Sequence, residues 1–274
     1  MSVLDEIIVG VRQDLERRKN QISLDTLRGE IAQRPPALDV MAHFTDGFGV
    51  IAEVKRSSPS KGALARIDDP AALAQQYQQG GACAVSVLTE GRRFHGSLED
   101  LKAVRAAIDI PILRKEFIID EYQIIEARAF GADLILLIVA ALTDQEIIDF
   151  SKLTHSLGMR TLIEVHEIAE MARVKKLVED EALDIDLLGI NARNLKTLEV
   201  DPGAFAALAP LAPTGTILIA ESGISSGEEV AHLAAIGAAG VLVGEALVKD
   251  GAPAQAIAEF LNRADQERVR RLRP

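Results

Sequence analysis

Glu53 and Lys55 are the first residues in the chain whose types and spacing could do chemistry. They end the otherwise apolar segment GVIAEVK, and residues two apart on a strand lie on the same face. A carboxylate and an ammonium are costly to desolvate at such a point unless they are paired or used in proton transfer. The pair is therefore either a structural ion pair or a set of catalytic groups. Catalysis would fit a parallel α/β fold, which places its chemistry at the C-terminal ends of strands.

The same arrangement of an apolar segment followed by a polar side chain recurs further along the chain. Lys115 ends PILRK, Glu164 ends TLIE and Glu221 ends ILIAE. Asn191 and Arg193 follow in LLGINAR. In a barrel, alternate strands contribute side chains to one layer, so the acids and bases of the first, third and fifth strands would converge. This pattern favours proton transfer at one site.

Small residues follow the last two predicted strands. Ser222 and Gly223 follow the seventh strand and Gly244 ends the eighth, while Ser58 lies in the loop after the first. Either glycine alone indicates a tight turn, but both together favour a phosphate site built from backbone N–H groups. Phe94, in the loop after the second strand, either covers a planar ligand or plugs the core.

Eight strand-like segments alternate with eight helical patterns, and they must position these residues. The strands are predicted to begin near Val50, Cys83, Pro111, Asp133, Thr161, Leu187, Ile217 and Gly240. The helices are predicted near 70–80, 97–108, 120–130, 143–157, 167–181, 201–210, 226–236 and 253–264. Strict alternation implies a parallel sheet, and eight units in this length favour a closed (β/α)8 TIM barrel. A doubly wound nucleotide-binding sheet is disfavoured because no G-x-G-x-x-G or phosphate-loop motif is present.

The segment before the first strand predicts an amphipathic helix over 3–20 and a second, short helix over 23–33. We therefore expect a single barrel domain over 1–274, with residues 1–45 as a helical extension packed on it. The first helix would act as a lid more naturally than as a partner-binding element.

Composition narrows the classes of partner. The formal net charge of −11 disfavours nucleic acid and anionic membranes. The longest apolar run, Leu134 to Leu142, is too short to cross a bilayer. The single cysteine, Cys83, sits in an apolar run, excludes an internal disulfide and fits a reducing cytoplasm. We expect a soluble cytoplasmic monomer.

No metal is expected, because the five histidines lack ligand spacing. Glu164 and His166 flank Val165, but a solvent-facing histidine at a strand end is the simpler interpretation of His166. No cofactor motif is present either, so we expect a reaction without cofactors.

Several stretches together resemble one enzyme family, the indole-3-glycerol-phosphate synthases. They follow the family order along the whole chain: IAEVKRSSPSKG, SVLTEGRRFHGS, PILRKEFIID, YQIIEARAFGADLILLIVAAL, LIEVH, GINARNL, AESGI and VLVGEAL. Two departures are visible, Ala192 where many members have Asn and Glu116 where many have Asp. Both lie beside the expected site residues, so only local loop contacts are affected.

The resemblance implies a carbon–carbon lyase of tryptophan biosynthesis. The implied reaction converts 1-(o-carboxyphenylamino)-1-deoxyribulose 5-phosphate to indole-3-glycerol phosphate, with release of CO₂ and water. It implies Lys115 as proton donor to the ketone, with Glu164 and Lys55 serving the later dehydration in roles that stay open. Glu53 and Asn191 would orient these groups.

The resemblance also implies which residues bind the substrate. The phosphate would be held by Ser222, Gly223 and Gly244, and the aromatic ring by Phe94, Phe117 and Leu136. Arg193 would add positive charge, and Ser58 and Glu221 would border the ribulose. Two rivals remain: another sugar-phosphate barrel enzyme, such as an isomerase or a Schiff-base aldolase, and a phosphate-binding barrel without catalysis.

Overall fold

Eight parallel strands close into one barrel. In chain order they are β1 (Gly49–Val54), β2 (Ala84–Leu88), β3 (Ile112–Lys115), β4 (Leu134–Ile138), β5 (Arg160–Val165), β6 (Leu187–Asn191), β7 (Ile217–Glu221) and β8 (Gly240–Val243). Each strand pairs with its neighbours in sequence, and β8 pairs with β1. The computed structural model describes residues 2–58, 62–63 and 67–272, without the side chains of residues 45, 46, 57, 58, 62, 63, 271 and 272. The predicted (β/α)8 fold is confirmed.

The strand positions follow directly from the apolar segments. Every barrel strand begins within one residue of its predicted start, as β1 does at Gly49 rather than Val50. The short segments Ser57–Ser58 and Gly62–Ala63 add a small antiparallel pair after β1.

The alternation of side chains along each strand sorts the core into two layers. Val50, Ala52 and Val54 of β1 face outward into the layer between sheet and helices. Ile51 faces the barrel interior, together with residues such as Leu113, Leu134, Leu162, Leu187, Ile219 and Leu242. Because Glu53 shares the inward face with Ile51, it lies above this inner core at the C-terminal end of the barrel.

Helices cover the outside of the barrel. The long ones are α4 (Pro70–Gln79), α5 (Leu98–Ala107), α6 (Glu121–Phe130), α7 (Asp144–Ser156), α8 (Ile168–Glu179), α10 (Gly227–Ala235) and α12 (Pro253–Leu272), and the short ones are α9 (Ala204–Leu208) and α11 (Glu245–Val248). Local capping explains several starts. Thr143 with Glu146 and Ser226 with Glu229 form capping boxes, in which side chains satisfy N–H groups that the first turn leaves open.

The last helix differs most from its prediction. α12 continues to Leu272, eight residues beyond the predicted end at 264. Its buried contacts end with Ile257, Phe260 and Ala264. The charged remainder is a solvated helical extension, for which the apolar pattern gives no signal. No described helix combines the length and apolar character that a membrane crossing would need.

The N-terminal extension contains α1 (Val3–Gln21), α2 (Leu24–Ala32) and α3 (Ala42–Asp46). α1 lies over the barrel mouth, and α2 packs on α6. Phe44 of α3 lies at the opposite end of the barrel, against Gly49 and Gly240 at the starts of β1 and β8. α1 buries Leu4, Ile7 and Val11 in the inner core cluster. Ion pairs fasten it to the barrel, among them Arg92 Nε to Asp14 Oδ2 at 2.8 Å and Arg93 Nη2 to Glu6 Oε2 at 2.6 Å.

Candidate active site

A cavity of about 570 Å³ opens at the C-terminal ends of the barrel strands. This is a typical size for a small-molecule site. All the predicted site residues except Ser58 line it: Glu53, Lys55, Phe94, Lys115, Phe117, Leu136, Glu164, Asn191, Arg193, Glu221, Ser222, Gly223 and Gly244. The side chain of Ser58 lies outside the described part of the chain. The structure thus brings together residues up to 191 positions apart in sequence.

Lys115 occupies the centre of the polar groups. It ends β3, and its Nζ donates hydrogen bonds to Glu164 Oε2 at 2.8 Å and to Glu221 Oε2 at 2.5 Å. Burial opposes its charge, but the negative charges of Glu164, Glu221 and Glu53 raise the pKa of Lys115 above its ordinary value. Lys115 is therefore an ammonium at neutral pH, the form that can give up a proton.

Glu164 is held between two cations. Lys115 contacts one carboxylate oxygen, and His166 Nε2 lies 3.1 Å from the other. Burial would raise the pKa of Glu164, but the nearby charges of Lys115 and His166 hold it well below its usual range. The prediction that His166 faces solvent is wrong, because its side chain is only 6% exposed.

Glu221 is in the opposite state. It ends β7, and its Oε1 is buried with no hydrogen-bond partner among the described residues. Burial raises the pKa of Glu221 to about 8. The positive charge of Lys115 lowers this pKa, and the negative charge of Glu164 raises it further. Gly189 of β6 creates the space, since a Cβ there would overlap Glu221 Oε1. The two carboxyls that share Lys115 thus have pKa values shifted in opposite directions.

Glu53 and Lys55 form the ion pair that their spacing suggested. The pair faces the cavity, so it is both an ion pair and part of the site. β1 is fixed here from two sides: the Tyr77 hydroxyl donates to the Glu53 carbonyl oxygen at 3.1 Å, and Gly244 packs against Glu53. A Cβ at Gly244 would come within 3.0 Å of that same carbonyl oxygen.

One end of the cavity is apolar. Phe94 and Phe117 form an aromatic pair with ring centroids 6.2 Å apart, and Leu136 lines the cavity beside them. The loop carrying Phe94 is shaped by Glu90, whose carboxylate accepts the backbone N–H groups of residues 92, 93 and 94. This end suits a flat aromatic ring.

The other end is rich in small residues and backbone groups. Ser222 has a φ of 65°, which is rare for a residue with a side chain, and Gly223 follows with a φ of 75°. Two consecutive left-handed residues turn the chain sharply after β7. Such strained turns cluster at ligand sites.

Basic groups lie around this polar part of the cavity. Carboxylates outnumber basic side chains in the described lining: Glu53, Glu90, Glu116, Glu164, Glu221 and Glu245 against Lys55, Lys115, Arg193 and Lys249. Lys115 and Lys55 are already neutralised by carboxylates. An anionic ligand would therefore need donors beyond these two lysines, such as backbone N–H groups. Arg193 is itself anchored through its backbone N–H to Asn191 Oδ1 at 3.0 Å and through Nη1 to the Leu198 carbonyl at 3.0 Å.

The sequence reasoning missed several lining residues, including Ile7, Glu90, Ser225, Glu245 and Lys249. Ser225, Glu245 and Lys249 follow β7 and β8 and could have been found from their place in those loops. Ile7 reaches the cavity from α1, and no local pattern reports that contact. The departures Glu116 and Ala192 make local bonds: Glu116 accepts from the Thr89 hydroxyl at 2.9 Å, and the Ala192 N–H donates to the Glu221 carbonyl at 2.9 Å.

Comparison with known proteins points to one family. A family model described as indole-3-glycerol phosphate synthase matches residues 4–260. Indole-3-glycerol phosphate synthase from Paenarthrobacter aurescens is 53% identical over 266 residues, covering 95% of this chain and 96% of the relative. The enzyme of that name from Kineococcus radiotolerans is 51% identical over 282 residues, covering all of both chains. That from Micrococcus luteus is 54% identical over 266 residues, covering 95% and 97%.

Among solved structures, 3-hexulose-6-phosphate synthase from Salmonella typhimurium matches with a TM-score of 0.63 and 16% identity, covering 80% of this chain and 99% of that chain. At that identity the likeness concerns the fold alone. The family model and the relatives, by contrast, span nearly the whole sequence. The chain belongs to the indole-3-glycerol phosphate synthase family.

Proposed function

We propose that the cavity around Lys115 carries out ring closure, decarboxylation and dehydration of 1-(o-carboxyphenylamino)-1-deoxyribulose 5-phosphate. The observation that carries this proposal is the Lys115 ammonium, which is largely enclosed and bonded to both Glu164 and Glu221 between an apolar and a polar end of one cavity. The substrate has matching parts: a flat ring, a reactive ketone and a phosphate.

Lys115 serves the first step. A carbon of the aminobenzoate ring attacks the ketone, and the carbonyl oxygen must take up a proton as its double bond opens. The Lys115 ammonium supplies that proton, and general acid catalysis of this kind typically contributes about 10²–10⁴-fold. Loss of CO₂ then restores the aromatic ring.

The last step removes water and needs an acid and a base. The hydroxyl formed from the ketone leaves with one proton, and a second proton is lost from the neighbouring carbon. Glu164 is ionised, so it can accept a proton but has none to donate. This leaves Glu164 as the base and the Lys55 ammonium as the acid. Glu53, paired with Lys55, and Asn191, beside Arg193, orient the reacting groups.

The two ends of the cavity divide the substrate. Phe94, Phe117 and Leu136 pack the ring, while Ser222, Gly223 and Gly244 hold the phosphate with backbone N–H groups. Arg193 binds the carboxylate, and Ser58 with Glu221 borders the ribulose. Holding ring and ketone in contact lowers the barrier independently of proton transfer.

We further propose that the chain acts in the cytoplasm as a monomeric, single-domain enzyme without a nucleic-acid or membrane partner. The net charge of −11 supports the absence of polyanionic partners. The one cysteine, Cys83, is buried, and burial raises the pKa of its thiol to about 12, so it suits a structural role in a reducing compartment.

The test follows product formation by the full chain and its Lys115→Ala variant. The wild-type chain should release one CO₂ for each fluorescent indole product formed from the carboxyphenylamino sugar phosphate. Lys115→Ala should lower kcat by at least about 10² while still binding substrate. Lys152→Ala, an exposed lysine on α7, is the matched control and should leave kcat unchanged. Full activity in Lys115→Ala would refute the acid role.

The aldolase alternative makes a different prediction. A Schiff base needs a neutral amine, whereas the carboxylates around Lys115 keep it charged. Borohydride should therefore trap no substrate on the wild-type chain, and a trapped adduct on Lys115 would favour the aldolase.

A further inference from the structure

His166 is a buried histidine one residue beyond β5. Its two ring nitrogens face different carboxylates: Nε2 lies 3.1 Å from Glu164 Oε1, and Nδ1 lies 3.2 Å from Glu170 Oε2. Glu164 belongs to β5 and lines the cavity, whereas Glu170 belongs to α8 and lies behind the ring. The imidazole therefore links a residue of the site to a helix outside it.

Glu170 is a firm anchor for this link. It lies in the first turn of α8, is 7% exposed, and its Oε2 also accepts the backbone N–H of His166 at 2.7 Å. A neutral imidazole carries one N–H and could serve only one of the two carboxylates. An imidazolium carries two N–H groups and a positive charge that both carboxylates attract. Nε2 is buried and lies at ion-pair distance from Glu164 without forming a hydrogen bond among the described residues, so the charge of the ring makes that contact. Carboxylates on both sides of one ring favour its charged form.

We propose that His166 is a positioning residue, an imidazolium braced by Glu170 that fixes Glu164 Oε1 while Lys115 fixes Glu164 Oε2. Glu164 is then held in one orientation and kept ionised. The inference rests on the proposed role of Glu164 as the base of the dehydration and adds the group that aims it. Loss of the His166 proton at alkaline pH would release one oxygen of Glu164.

The charges around the ring define its titration. Burial opposes the charge of His166, but Glu164 on its own strand and Glu170 on α8 raise its pKa to about 9. Lys115 of β3 lies on the far side of Glu164, and Glu221 of β7 bonds to the same lysine. Because the pKa of Glu221 is about 8, its titration can also change kcat at alkaline pH. A variant that shifts only the pKa of His166 separates the two effects.

The first test is a direct titration of the wild-type chain by NMR. The His166 ring signal is identified as the one missing from His166→Gln, and it should titrate near pH 9. Glu170→Gln removes one of its two carboxylates and should lower that midpoint by about one pH unit or more. Titration near 6.5 in the wild type, or an unchanged midpoint in Glu170→Gln, would overturn the proposal without reference to activity.

The second test uses the pH profile of kcat. Glu170→Gln should shift the decline of kcat that His166 causes at alkaline pH to lower pH. KM should stay within about twofold, because Glu170 does not line the cavity. His166→Gln should lower kcat about tenfold or more, since Glu164 loses one of its two fixed contacts. Adding Glu170→Gln to His166→Gln should then change nothing further.

His155→Gln is the matched control for both readouts. His155 also pairs with a carboxylate, Asp186 Oδ2 at 2.7 Å, but it lies on α7 away from the cavity. Its loss should leave kcat and the pH profile as they are. A His166→Gln chain with wild-type kcat at every pH would refute the positioning role while leaving the proposed function standing, whereas a wild-type chain that forms no product would refute the function itself.

Discussion

At the scale of single residues, the chemistry of the site depends on two glutamates that share one lysine. Glu164 has a cation at each oxygen, whereas Glu221 has one cation and one oxygen without a hydrogen-bond partner among the described residues. The pKa of the same residue type is therefore lowered in one place and raised in the other. In the proposed mechanism the lowered pKa suits Glu164 as the base, while the ammonium groups of Lys115 and Lys55 are the acids.

The raised pKa of Glu221 should appear in protein stability. Its pKa is about 8 in the folded chain and near 4.5 when unfolded, so the folded state holds an extra proton between those values. The free energy of unfolding must fall as pH rises through that window. Glu221→Gln removes this loss, so the variant should gain stability relative to wild type between pH 5 and pH 9. We expect a gain of at least about 1.4 kcal/mol, the equivalent of one pKa unit.

Urea unfolding of both chains at pH 5, 7 and 9 measures this difference. Glu30→Gln, an exposed position on α2, supplies the control and should show a constant difference across the three values. If Glu221→Gln behaved in the same way as Glu30→Gln, the carboxyl of Glu221 would not be protonated in the folded chain.

At the scale of elements, β6 contributes a glycine, Gly189, whose lack of a side chain leaves room for Glu221. Gly189 lies opposite Glu164 in β5 and Ile219 in β7, and Glu221 Oε1 fills the space above it. Glycine normally weakens a strand interior, so its presence here needs a close approach to justify it. The approach of Glu221 supplies that reason.

Gly189→Ala should therefore damage the site from a neighbouring strand. The new Cβ would overlap Glu221 Oε1 and lie 3.3 Å from Leu162 Cδ1, so Glu221 must leave its bond to Lys115 or the strands must move. We expect kcat to fall about tenfold or more and stability to fall by about 1–3 kcal/mol. Gly29→Ala on α2 is the matched change with nothing within 4 Å of the new Cβ. It should keep full activity and gain about 0.5–1 kcal/mol.

The sequence predicted the strands well because their pattern is local. Period-two alternation and the turns between elements are enough to place each strand start within one residue. The strand-end residues Lys115, Glu164 and Glu221 could be assigned to one site for the same reason, since closing the barrel brings all strand ends together.

Contacts made across elements were not predictable in this way. Arg114 shares β3 with Lys115 but faces the helices, where it is fully buried and bonds to Glu126 at 2.9 Å and to the Gln123 carbonyl at 2.8 Å. Its neighbours in sequence do not identify these partners. His166 was misjudged for the same reason, because its burial depends on where α8 places Glu170.

At the scale of the whole molecule, a helix, the barrel strands and their loops from one chain together line the described cavity. The N-terminal α1 closes over the barrel mouth and contributes Ile7 to the lining. The barrel strands supply the charged groups, and the loops after β7 and β8 supply the small residues. A second copy of the chain is not needed to complete the described lining.

The distribution of exposed apolar residues also favours a monomer. The large ones are Val9, Leu24, Leu38, Ile168, Leu211 and Val269, and no described element presents two of them. A stable dimer buries roughly 800 Å² on each partner, and obligate interfaces resemble a divided core. We therefore expect sedimentation velocity to give a single species of 29.5 kDa at chain concentrations of about 1–100 µM. A stable dimer with a Kd below micromolar would be largely formed in that range. A species of twice that mass at the lowest concentration would mean that one face of the barrel is covered by a second copy, and the monomer proposal would be wrong.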